Sequence, residues 1–173
     1  MRRVFQPIPP DRHARRAVQL LAGLVLYGVT ASMLVLAGLG LDPWDVLHQG
    51  LSRTFGLGIG TWVVIVSFIV LLAWWPLRQR LGVGTITNAI LVGVVIDVVL
   101  ALVHPPHALG IRIGVLIAAV LGNGLATGLY IGAGLGPGPR DGLTTGIAAR
   151  GHSIRVVRTT IEVSVLVSGF LLG

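Results

Sequence analysis

Five long runs with few or no charges, each about 20 residues, set the terms on which this chain can fold. They cover about 18–41, 57–77, 81–103, 113–131 and 154–173. A helix of roughly 20 apolar residues spans the hydrocarbon core of a bilayer, about 30 Å thick. Inside lipid, the backbone must satisfy its own hydrogen bonds, which leaves helices as the way to cross for runs of this kind. Charged residues make up 11% of the chain, where a soluble domain carries about 25%. The mean hydropathy is +0.89. The expectation is an all-α membrane protein with five transmembrane helices. Cysteine is absent, which excludes disulfides and thiolate metal sites.

The formal charge of +7 invites a nucleic-acid reading, but its distribution argues against one. Every basic residue is an arginine, and the arginines gather between the apolar runs. That is the pattern of topology determinants rather than of a basic groove. Residues 1–17 carry Arg2, Arg3, Arg12, Arg15 and Arg16 with the breaker pair Pro9-Pro10. The run that follows is too long for the apolar part of a signal peptide and lacks a small-residue cleavage site. Residues 1–17 therefore read as a cytoplasmic lead, and 18–173 as a single transmembrane domain. With the N-terminus inside and five crossings, eleven arginines fall inside and only Arg53 and Arg112 outside.

A second feature is a motif stated twice. Gly38-Leu39-Gly40-Leu41-Asp42-Pro43-Trp44-Asp45 is followed, at a constant offset of 96, by Gly134-Leu135-Gly136-Pro137-Gly138-Pro139-Arg140-Asp141. Each copy opens a short segment between two long runs. In the first, Asp42 suits the N-cap, Pro43 the first helical position, and Asp45 the first turn, where free amides favour an acid. About a dozen residues from Pro43 make a helix of about 18 Å, half a bilayer. Trp44, Leu47, Leu51 and Phe55 fall on one face; Asp45, His48, Gln49 and Ser52 fall on the other. In the second copy Leu143 and Ile147 oppose Asp141, Thr144, Thr145 and Ala148. Gly50 and Gly146 would let each short helix pack tightly. Such a helix either lies in the headgroup plane or dips inward as a re-entrant half-helix buried against protein. Three-crossing halves have opposite orientations, so the duplication predicts an inverted repeat, with repeat one at about 18–103 and repeat two at about 111–173.

The motif pair, together with Gly82-Val83-Gly84-Thr85-Ile86-Thr87-Asn88 leading to Gly93 and Asp97, resembles the YczE/YitT-type family of bacterial integral membrane proteins. The likeness runs from about Leu20 onward. It implies a bacterial plasma-membrane location and a shared topology, and it supplies no catalytic residue. It also implies a sixth helix. Carrying the offset forward puts the partner of Gly82–Gly84 just beyond Gly173, so the second half is expected to lack its last helix.

The remaining polar residues divide by position. Asp97 lies inside the third run, where a lipid-facing charge would cost at least a few kcal/mol, so it must be protonated, paired or face the bundle interior. Asn88, nine positions earlier, falls on nearly the opposite face. Glu162 follows Arg158 by four residues, the spacing of an intrahelical ion pair. Gly124, Gly128 and Gly132 form a bare stripe on the fourth run, where a neighbouring backbone could approach. Trp62 at one end of the second run and Trp74-Trp75 at the other suit interfacial belts. His104 and His107 share a turn without the acidic or thiolate company of a metal site. No Walker loop, H-E-x-x-H, G-x-S-x-G or dinucleotide fingerprint occurs, so neither an enzyme nor a cofactor is expected. Two functions remain. One is passage of a small solute or ion between the short helices, with Asp45 and Asp141 foremost and Asp97, His48 and Thr145 beside them. The other is a scaffold or accessory subunit that binds partners through the glycine-lined fourth helix. Lipid, a small solute or ion, and a second copy of the chain are the partners this reading admits.

Overall fold

The structure is a computed structural model and describes residues 11–173; Arg2, Arg3 and Pro9-Pro10 lie outside that range. Among the described residues seven helices follow in order: α1 His13–Ala37, α2 Pro43–Phe55, α3 Ile59–Leu77, α4 Val83–Leu102, α5 Leu109–Gly132, α6 Pro139–Ala148 and α7 Ile154–Leu172. Four of them, α1, α3, α4 and α5, are long and apolar enough to cross a membrane. The expected fifth, α7, is as long as α3 but carries Arg155, Arg158 and Glu162, which keep it outside that group. Large apolar side chains cover the outside of the bundle, among them Leu72, Trp75, Leu102, Leu121, Phe170 and Leu171, each more than 70% exposed. An apolar surface of this kind is tolerated in lipid rather than in water.

The long helices α1 and α5 pack along their length, antiparallel, and two arginines fix their ends. Arg112 of α5 donates to the carbonyls of Ala37 (2.7 Å) and Gly38 (2.8 Å), at the end of α1. Arg16 of α1 donates to the carbonyl of Ala133 (2.9 Å), at the end of α5. The last carbonyls of a helix have no intrahelical partner, and a guanidinium is a strong donor for them. Arg16 and Arg112 stand 96 positions apart, as do Ala37 and Ala133, and the glycines that follow, Gly38 and Gly134, are both left-handed (φ 58° and 68°).

Each short helix finds its main partner in the other half of the chain. α2 packs chiefly on α7, and α6 chiefly on α3. Both contacts need glycine. Gly50 lies against the carbonyl of Gly169, and Gly169 against the backbone of Leu47, so a side chain on either would meet main chain. Gly142 lies under the ring of Trp74, and Gly146 against Gln79. Trp74 is therefore core rather than belt: it is buried with Trp44, Val66 and Val70, while Trp75 faces out. Gly60 of α3 and Gly93 of α4 meet backbone to backbone in the same way.

The stripe predicted on α5 behaves differently. Among the described residues, a side chain at Gly124 or Gly128 would meet nothing within 4 Å, and one at Gly132 would meet only the amide end of Gln19. The α1–α5 approach instead uses Gly23, which sits against the backbone of Ala126 and Tyr130, and Gly122 against Thr30. The four-residue period leaves a bare face on α5, but α1 meets the neighbouring face. Gly169→Leu should therefore lower stability by about 1–3 kcal/mol or more through overpacking, whereas Gly128→Leu should change it by under about 0.5 kcal/mol. Thermal unfolding of both variants in detergent checks the contrast.

Candidate functional site

The two short helices begin beside one another. α2 starts as its sequence dictates: Asp42 Oδ1 accepts from the amides of Trp44 (2.8 Å) and Asp45 (2.9 Å), and Pro43 occupies the first turn. α6 starts with Gly138 at the cap position and has no side-chain cap. Its place is held from outside. Trp74 Nε1 donates to the carbonyl of Pro139 (3.0 Å), and Thr85 Oγ1 donates to that of Pro137 (2.8 Å). The amide of Gly84 donates to Leu135 (2.8 Å). The Gly82–Thr85 opening of α4 thus grips the second motif copy, where Gly82 approaches the Leu135 carbonyl too closely for any side chain.

Where the two starts meet, the guanidinium of Arg140 lies 5.0 Å from the centre of the Trp44 ring. These residues hold the same position in the two motif copies, 96 apart. A cation over an indole face contributes about 0.5–2 kcal/mol, more as water is excluded. Arg140 and Trp44 line a cavity of about 380 Å³ together with Tyr27, Asp42, Asp141, Thr144, Thr145, Arg155, Arg158 and Glu162. A second cavity of about 240 Å³ shares Tyr27, Arg140, Asp141 and Arg158 and adds Asn88, Tyr130 and Gly138.

The sequence-predicted residues are distributed around this centre unevenly. Asp141 is in it, and its Oδ2 accepts from the Tyr130 hydroxyl at 2.6 Å. Thr145 is on the wall, its hydroxyl donating to the carbonyl of Asp141 (2.9 Å). Arg158 and Glu162 form the expected pair (2.8 Å) on the cavity rim. Asp45 and His48 lie behind Trp44, 3% and 1% exposed, with Nδ1 and Oδ1 3.7 Å apart. Among the described residues, Asp45 Oδ2 and both ring nitrogens of His48 have no hydrogen-bond partner. Asp45 does not bond the first-turn amides of its helix; Asp42 has taken them. Asp97 is elsewhere. It accepts from the amide of Gly60 (2.7 Å) and the hydroxyl of Thr61 (2.8 Å), capping the start of α3 from the neighbouring helix. The first amides of α3 have no side-chain cap of their own, and Asp97 supplies one.

The chain belongs to DUF6198, a family of unknown function. The family model matches residues 14–173. An uncharacterized protein of Haemophilus influenzae is 42% identical over 155 residues, 89% of this chain and 71% of that protein. The uncharacterized protein YyaS of Bacillus subtilis is 32% identical over 102 residues, 58% of this chain and half of that protein. No solved structure matches the chain. Neither the family nor these relatives carry the YczE/YitT name that the motifs suggested, so DUF6198 is the family that stands.

In this DUF6198 member, sequence reasoning missed Arg140, Tyr27, Tyr130 and Asn88. Arg140 reads as a topology arginine until the two copies are aligned; then a cation falls where the other copy has an indole. The tyrosines carry no such signal, since an apolar run hides which of its aromatic residues turns inward. The Asp45–His48 pair is buried without good bonds, an arrangement whose replacement by apolar groups of similar volume is often stabilising. The double variant Asp45→Leu/His48→Phe should raise stability by about 1–4 kcal/mol, read as an increased Tm in detergent.

Proposed function

We propose that this protein is a multi-pass protein of the bacterial inner membrane that passes a small solute or ion through the cavity where α2 and α6 begin. It moves that solute rather than transforming it. The observation that carries the reading is Arg140 over Trp44: equivalent residues of the two motif copies meet face to face on a cavity wall. Meeting of this kind is what an inverted repeat requires at its axis, and such repeats place their sites there. The reciprocal arginines support the same symmetry. Arg16 closes the end of α5 as Arg112 closes the end of α1, and the two helices run in opposite directions.

In this reading α2 and α6 are re-entrant half-helices that enter the bilayer from opposite sides. Their polar starts are sheltered by α3, α4 and α7, and irregular backbone is tolerated at membrane depth only where protein or a cavity surrounds it. The arginine distribution favours an N-terminus in the cytoplasm. Asp141 positions Tyr130 on the wall, and Asp45 and His48 supply a buried ionisable pair next to the path, as expected of intramembrane acids in transporters.

A second reading draws on a different observation. Gly124 and Gly128 face out from α5 with nothing against them, and small residues on a lipid-facing helix admit another helix. The protein would then be an accessory subunit. Proteoliposome uptake across a panel of small solutes separates the two. Conduction predicts uptake by the unaltered protein, reduced at least tenfold in Asp45→Asn and Asp141→Asn with folding intact and unchanged in Gly128→Leu. Uptake that survives both aspartate changes overturns the pathway.

A further inference from the structure

The three carboxylates and three arginines around the larger cavity are not equally engaged. Asp42 Oδ1 holds two amides, Asp141 Oδ2 holds the Tyr130 hydroxyl, and Glu162 Oε1 holds Arg158. Among the described residues, nothing accepts a hydrogen bond from the half-buried guanidinium of Arg140; it lies over the face of Trp44, with the carboxylates of Asp42, Asp45 and Asp141 close enough to act on its charge without bonding it. A guanidinium presents five N–H donors in a planar fork that matches two oxygens of one acceptor group. Left without hydrogen-bonded oxygens, those donors suit an oxyanion, whose charge strengthens each bond.

A second observation points the same way. Gly138 gives α6 no side-chain cap, and neither the Arg140 nor the Asp141 amide finds an acceptor among the described residues. The residues Gly138 to Asp141 line the smaller cavity, which adjoins Arg140. In α2 the corresponding amides are closed by Asp42. α2 therefore closes its first amides with Asp42, whereas in α6 the first-turn acid, Asp141, accepts from Tyr130 and leaves those amides open. Free first-turn amides with a favourable helix dipole reinforce a neighbouring cation.

We infer that the cavity binds a small oxyanion-bearing ligand, a carboxylate or a phosphate, held by Arg140 against Trp44 with the uncapped start of α6 behind it and Arg158 at the rim. The inference rests on reading the cavity as a solute site and names the chemistry of what enters it. A cationic ligand would find only the second oxygens of acids already engaged through the first, and would have to stand among Arg140, Arg155 and Arg158. A neutral ligand could accept from the fork of Arg140, but without the added strength of a charged acceptor. The ligand's oxyanion could be that of a free solute or of a lipid headgroup, and the same donors would serve either.

The test uses the full chain in uncharged maltoside micelles at constant ionic strength. Acetate, inorganic phosphate and, as cations, choline and methylammonium are titrated while tryptophan emission is followed; Trp44→Phe identifies the part of the signal that comes from the cavity. The expected result is a saturable change with acetate or phosphate and none with the cations. Affinity should fall at least tenfold in Arg140→Gln and several-fold in Arg140→Lys, which keeps the charge but loses the fork. Arg158→Gln, at an exposed rim position, should weaken binding several-fold without unfolding the protein, and it keeps the test decisive if Arg140→Gln does not fold. A parallel titration with phosphatidylglycerol doped into the micelles assigns the source. Response to free anions identifies a solute, and response to the lipid alone identifies a headgroup; both uphold the oxyanion. Saturation by cations only, no response to any oxyanion, or anion binding indifferent to both arginine variants overturns the inference. The two readings separate cleanly: oxyanion binding without uptake in vesicles leaves this inference standing and removes conduction, whereas uptake of a cation does the reverse.

Discussion

A helix that ends in apolar surroundings leaves amides and carbonyls that water cannot reach, and this chain assigns its few polar side chains to those ends. Arg112 closes α1, Arg16 closes α5, Asp97 opens α3, Asp42 opens α2, and Trp74 with Thr85 hold the stretch that leads into α6. In each of these except Asp42 the side chain comes from a different helix than the end it serves. A buried backbone group without a partner costs about as much as a lost hydrogen bond, of order 1–3 kcal/mol. The same contacts therefore satisfy the backbone and fix which helix lies beside which. With 11% charged residues the chain has little polarity to place anywhere else.

The short helices follow from that arrangement. Neither is long enough to bury itself, and each finds its main partner across the chain, α2 on α7 and α6 on α3. Glycine makes both crossings close: Gly50 with Gly169, Gly142 under Trp74. Close crossings draw the two helix starts inward until Trp44 and Arg140 stack. The cavity is what remains between two starts, two walls and the charged turn of α7. Its polarity is thus inherited from helix ends rather than added to an apolar bundle. The Asp45–His48 pair is the exception, buried with unsatisfied atoms and unexplained by any capping need.

Much of the architecture was legible in advance because it depends on local chemistry. Asp42 and Pro43 announce a helix start, and the structure uses both as expected. The Arg158–Glu162 pair follows from helical spacing alone. Asp97 had to be protonated, paired or interior, and it is paired; that its partner is the start of α3 depends on which helix packs there. Trp74 reads as a belt residue beside Trp75, yet a rotation of one position separates a buried ring from an exposed one. The glycines on α5 show the same limit, since a bare face is visible in the spacing but not the face a neighbour chooses.

Sequence alone determined that the chain is helical and apolar, that it contains two short proline-initiated helices, and that the two halves echo one another at a fixed offset. All of these rest on interactions within a few residues or on exact repetition. Tertiary structure decided that Arg140 and Trp44 face each other, that Asp97 serves a neighbouring helix, and that Asp45 and His48 lie behind the cavity rather than on its wall. Each of these depends on how two helices rotate against one another, and that rotation is set by backbone approach at glycines far apart in the chain.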